Sequence, residues 1–153
     1  MRTRRSRACF AVISAMLIFL SGTASAGGLT MFMKQLTETM AKVKRGETLM
    51  VQRDAAEHLA ELTRKIDPKK VNDKALADLV SLLDMPDEPT RFWVAASLGN
   101  LGPRARIAIP RLRKILKEVD CLPGAVTSAD AIRHALTRIG VRPPPSNCER
   151  LGR

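Results

Sequence analysis

From residue 29 onward, apolar residues recur at three- and four-residue spacing, and the runs are separated by Gly, Pro and Asp. That period predicts helices rather than strands. Leu29 to Lys44 carries Leu29, Phe32, Met33, Leu36, Met40 and Val43 on one face, and Gly46 stops it. Glu47 to Ile66 carries Leu49, Ala55, Ala56, Leu59, Leu62 and Ile66, and ends at Asp67-Pro68 because the residue before proline avoids the helical region. Asn72 caps a third helix to about Leu83, with Leu76, Leu79, Val80, Leu82 and Leu83 buried. Asp87 caps a fourth, Glu88 to Leu101, which is rich in small residues and tolerates Pro89 in its first turn. Gly102-Pro103 makes a corner into a fifth helix, Arg104 to Val119, whose apolar stripe is Ala105, Ala108, Ile109, Leu112, Ile115 and Leu116. Pro110 inside that pattern either kinks the helix or marks its true start. Thr127 or Ser128 caps a sixth helix with Ile132, Leu136 and Ile139 inward, and Thr127-x-x-Asp130 resembles a capping box with Asp in place of Glu. Gly140 stops it, and the prolines from Arg142 to Ser146 impose an extended tail.

The pattern repeats. Leu59-x-x-Leu62, Leu98-x-x-Leu101 and Leu136-x-x-Ile139 correspond at spacings of 39 and 38 residues, with Ala55, Val94 and Ile132 in register. Leu76, Leu79, Leu82 and Leu83 correspond to Ile109, Leu112, Ile115 and Leu116. A period near forty with two helices per unit predicts stacked hairpins that bury their faces on one another. The run from Asp87 to Pro103, followed by Ala108-Ile-Pro-Arg-Leu-Arg-Lys-Ile-Leu116, resembles a HEAT repeat of the short bacterial type. Residues 47–83 and 117–140 match less well, as terminal repeats do. The resemblance implies an all-α fold, a short right-handed α-solenoid of about three helical hairpins, and a protein-binding role on a concave face lined by the second helix of each pair.

Charge and cysteine usage change the picture at both ends. Residues 1–26 read as a secretory signal peptide: four arginines, an apolar stretch from Ala8 to Leu20, and Ala24-Ser25-Ala26 as the cleavage site. The alternative is an uncleaved N-terminal anchor. Three regions follow: a signal peptide over 1–26, a helical repeat domain over 27–140, and a Pro-rich tail over 141–153. Loss of the four arginines lowers the formal net charge from +11 to +7. Export, to the periplasm or out of the cell, implies an oxidising compartment, in which Cys121 and Cys148 form a disulfide. Closing that loop contributes about 3–4 kcal/mol in the chain-entropy description. Two cysteines and two distant histidines lack metal-ligand spacing, so neither a metal nor a cofactor is expected.

Candidate functional residues follow from the repeat register. At 100° per residue Trp93, Ser97 and Asn100 share one line on the fourth helix. Asp54, His58 and Glu61 correspond on the second helix, and Ala131, Ala135 and Arg138 on the sixth, with His134 beside Ala135. Exposed, the line is a partner-binding groove with Trp93 as its anchor. Buried, it packs between helices, with Arg91 pairing Asp87 or a neighbouring acid. Arg106, Arg113 and Lys117 form a basic ridge opposite the apolar stripe, a surface for anionic polymer or lipid headgroups or simply a solvated face. No nucleophile has a base and acid partner, so the expectation is a non-enzymatic protein-interaction module. An inhibitor or immunity-type protein would be one variety. Nucleic acid is not an expected partner: the mature aromatic residues are only Phe32, Phe92 and Trp93. N-terminal sequencing of the protein recovered from outside the cytoplasm should read Gly-Gly-Leu-Thr from Gly27. A product beginning at Met1 would mean an anchor instead.

Overall fold

The computed structural model describes residues 24–121, 127–146 and 148. Residues 1–23, most of the expected signal peptide, lie outside them, as do residues 122–126 and the end of the tail. The described residues are helical, with no strand among them. The helices are α1 (Ala24–Arg45), α2 (Leu49–Lys65), α3 (Asp73–Ser81), α4 (Glu88–Leu101), α5 (Ile109–Val119) and α6 (Ser128–Ile139). Short 3₁₀ turns cover Pro68–Lys70, Leu82–Asp84 and Gly102–Ala108. Ala24-Ser25-Ala26, the expected cleavage site, opens α1.

Local chemistry sets most of these boundaries. Thr48, Asn72 and Asp87 each cap a helix with a side-chain oxygen, accepting from Val51, Ala75 and Thr90 respectively. Thr127 and Asp130 close the capping box at the start of α6. The caps of α2, α4 and α6 are thus 39 and 40 residues apart, close to the 39 and 38 of the leucines. Two boundaries differ from the periodicity. The third helix stops at Ser81 and tightens into a 3₁₀ turn, since Met85, which precedes Pro86, must be extended. The fifth begins at Ile109, not Arg104: Pro110 sits in its first turn, and the backbone leaves helical geometry at Ala105. Pro110 is a start, not a kink. Gly102 and Gly140 have positive φ of 54° and 97°, so both stops need the freedom of glycine.

The core is one cluster running through every helix. Leu59, Leu98, Leu101, Leu136 and Ile139, the leucine pairs of the repeat, are fully buried together with Leu76, Leu79, Leu83, Leu112 and Leu116. Helix α4 occupies the middle, packed along α2 on one flank and along α6 on the other. Helix α1 lies on α2 and α5 on α6, while α3 touches α1, α4 and the Gly102–Ala108 turn. Leu49, expected in the buried stripe of α2, is 53% exposed because it sits at the first turn, beyond the neighbouring helices. Cys121 and Cys148 are bonded, their Cα atoms 5.2 Å apart. The tail is held along the last hairpin, where Arg133 of α6 pairs with Asp120 and donates to the carbonyl of Pro144.

The α4–α6 contact is close enough to require glycine. A Cβ on Gly99 would lie 3.1 Å from the Cα of Ala135. Gly99→Val should therefore force the two helices apart and lower the unfolding free energy by about 2–3 kcal/mol, measured by urea denaturation. An unchanged midpoint would show that the contact relaxes freely.

Candidate functional site

The residues of the repeated line do not form one continuous groove. On α4, Ser97 is fully buried and donates to the carbonyl of Trp93 at 2.9 Å. Asn100 is half-buried, and its amide donates to the carbonyl of Ala60 at 2.9 Å and to Thr63 Oγ1 at 3.3 Å. Trp93 is half-buried against the core and stands edge-on to Phe92, ring centroids 5.0 Å apart. On α6, Ala131 and Ala135 are buried, and Arg138 Nε donates to the carbonyl of Gly99 at 2.9 Å. On α2 the corresponding Asp54, His58 and Glu61 are all exposed, with His58 Nδ1 3.9 Å from a Glu61 oxygen.

One rule accounts for all three sets: the line is the face that each helix turns towards the helix one repeat earlier. Asn100 and Arg138 occupy equivalent positions and make the same bond, each to a carbonyl at equivalent positions of the preceding helix, Ala60 and Gly99. The expectation of an exposed Trp93–Ser97–Asn100 anchor is therefore corrected. Burial removes Ser97, and α2 takes up the Asn100 amide. Among the described residues α2, the first helix of the row, has no predecessor, so its whole copy of the line is open to solvent.

That open face is one wall of a groove. Gln35, Glu38, Thr39 and Lys42 of α1 stand opposite Val51, Asp54, Ala55 and His58 of α2, enclosing about 460 Å³. A second depression shares Glu38, Lys42 and Val51 and extends the groove towards Gly46 and Glu47. Leu49, Met50 and Val51 at the start of α2 are 53%, 66% and 46% exposed. Sequence reasoning found Asp54, His58 and Glu61 but missed the α1 wall and the exposure of Met50 and Val51. The available signal was that Leu49-Met-Val51 falls in the first turn of α2, ahead of the repeated stripe.

The arginines divide into two classes. Arg53 holds Asp87 with both ends of its guanidinium, Nε at 3.0 Å and Nη2 at 2.6 Å, so the partner of Asp87 is Arg53 and not Arg91. Arg91 instead donates to the carbonyl of Met85 at 3.0 Å. Arg104 binds Asp73 and the carbonyl of Val71, and Arg111 binds Asp84, which ties the fifth helix and its preceding turn back to α3 and its ends. Arg106, Arg113 and Lys117 are exposed and form no ion pair among the described residues. His134 is exposed on α6, far along the row from His58 on α2. Asp120 lies close to Cys121 and Cys148, but the two sulfurs are bonded to each other and are not available as thiolate ligands.

Compared with known proteins, the chain matches no family model, no curated protein and no solved structure.

Asp87 also joins the site to stability. Its carboxylate caps α4 and accepts from Thr90 through both the amide and the hydroxyl, at 3.0 and 2.7 Å. Hydrogen bonding to Arg53 is the main cause that lowers its pKa to about 2, with the Thr90 bonds adding to the effect. Because the folded value lies below the ordinary one, the stabilisation is complete above about pH 5. It is lost as the pH falls through the folded pKa near 2. Asp87→Ala removes both the cap and the ion-pair partner and should lower the unfolding free energy by about 2–3 kcal/mol at neutral pH. Asp87→Asn keeps the cap, should have a smaller effect, and should flatten the acid limb of stability. Urea titrations across this pH range check both. An acid limb unchanged in Asp87→Asn would place the acid sensitivity elsewhere.

Proposed function

We propose that the chain is an exported, non-enzymatic protein-interaction module, built as a short right-handed HEAT-like stack of about three helical hairpins. The stack is supported by helix caps and leucine pairs on one period, and by the equivalent bonds of Asn100 and Arg138 to the preceding helix. Export is supported by the basic, then apolar, then small-residue N-terminus and by the Cys121–Cys148 bond, which an oxidising compartment sustains. The interaction role rests on one observation. Among the described residues the first hairpin leaves the Asp54–His58–Glu61 face of α2 uncovered, with a groove along it lined by Val51 and with Met50 and Val51 exposed in the first turn of α2. Exposed apolar residues beside a groove suit contact with a partner protein. An inhibitor or immunity-type role, with the module plugging another exported protein, is one form of this reading.

A second reading has its own observation. Arg106, Arg113 and Lys117 remain exposed while Arg53, Arg104, Arg111 and Arg133 are engaged in ion pairs. On that reading the protein is an envelope-associated binder of anionic polymer or lipid headgroups.

Affinity capture from periplasmic and culture extracts, read by mass spectrometry, separates the two. The interaction module should recover a reproducible protein partner, and the combined charge reversal Arg113→Glu and Lys117→Glu should leave that partner bound. Recovery of no partner, together with vesicle binding to phosphatidylglycerol that the same reversal abolishes, would favour the second reading.

A further inference from the structure

The polarity of the open face indicates what it accepts. Along the row, each later helix brings a donor to the helix before it: Asn100 donates to the carbonyl of Ala60, and Arg138 to that of Gly99. Glu61 stands at the equivalent position of α2 and reverses this polarity, since a carboxylate only accepts. A helix seated ahead of α2 must therefore offer donors at the level where the chain's own helices offer carbonyls. Asp54 presents a second exposed carboxylate on the same face, two turns away or about 10 Å along the axis. Lys42 and His58 also face the groove, whereas Glu38 adds an acid from the α1 wall. The acids on this face stand out in a chain whose formal net charge is +11.

The same geometry opposes two occupants from the chain itself. A second copy stacking head to tail would meet the tail on the far side of α6, where Arg133 is bound to Asp120 and to the Pro144 carbonyl and the Cys121–Cys148 bond holds the tail in place. Two first hairpins face to face would oppose Asp54 and Glu61 with their own copies, a repulsive arrangement.

We infer that the slot ahead of α2 receives a basic α-helix of a partner protein, anchored on Asp54 and Glu61. The helix takes the place of a preceding repeat. It carries Arg or Lys two turns apart to meet the carboxylates, with an apolar edge over Met50 and Val51. This deepens the interaction-module reading and rests on it.

The probe is a fluorescently labelled, hydrocarbon-stapled helix with Arg at i and i+7 and Ala between them on the same face, titrated with the protein and followed by anisotropy. Binding should saturate, weaken with added salt, and fall about tenfold or more when Asp54→Lys and Glu61→Lys are combined. Both residues are exposed, so the variant should keep the circular dichroism of the parent. The pair Arg113→Glu and Lys117→Glu should bind the probe as the parent does. The inference is overturned by an absence of saturable binding, by undiminished binding to the Asp54→Lys, Glu61→Lys variant, or by equal binding of a helix with Glu in place of Arg. A partner captured from extract that is retained by that variant would overturn this surface while leaving the interaction role intact. Capture of no partner at all would count against the role itself.

Discussion

Helix α4 has no face to spare. It is covered by α2 on one flank and α6 on the other, and the remaining helices are placed relative to this row of three. Burial on two sides requires small side chains where helices cross closely, which is why Ala95, Ser97 and Gly99 are fully or nearly fully buried. It also requires the helix to start at a fixed point, because a shift of one residue would turn the wrong side chains towards both neighbours. Asp87 sets that point. Its carboxylate caps α4, bonds Thr90 and is gripped by Arg53 of α2, so the start of one helix is attached to the body of its neighbour.

Much of this was legible in the chain. The apolar stripes, the caps at Asn72, Asp87 and Thr127, the glycine stops and the cysteine pair each have a local chemical signature. The orientation of α4 was not legible. A helix that is small or apolar nearly all round has no polar face to mark solvent, so Trp93, Ser97 and Asn100 gave no sign of which neighbour they met. Arginine partners were equally hidden. Arg53 reaches Asp87 across 34 positions, and no i, i+4 pattern reports such a contact. Leu49 misled because periodicity alone cannot tell a buried turn from a frayed first turn.

The basic residues would be misread as a single field. Those beside α3 and the last hairpin lash elements together: Arg104 to Asp73, Arg111 to Asp84, Arg133 to Asp120. Those on the outer face of α5 and the turn before it do not. The acids follow the reverse logic. Asp73, Asp84 and Asp120 are engaged by these arginines and Asp87 by Arg53, whereas Asp54 and Glu61 are exposed at the opposite end of the row. Charge is thus unevenly placed along the row α2, α4, α6, with cations exposed on the outer face of α5 and carboxylates exposed at the α2 end.

The covalent closure of the last hairpin gives that axis a direction. In a row held by neighbour contacts, opening begins at an end. The Cys121–Cys148 bond ties down the trailing end, whereas the leading hairpin of α1 and α2 has no such closure among the described residues. A ligand seated there would brace the weakest link of the whole stack, and its binding free energy would appear as resistance to unfolding. Recognition and durability would then be read from the same hairpin, and an unoccupied molecule would be the first to be degraded.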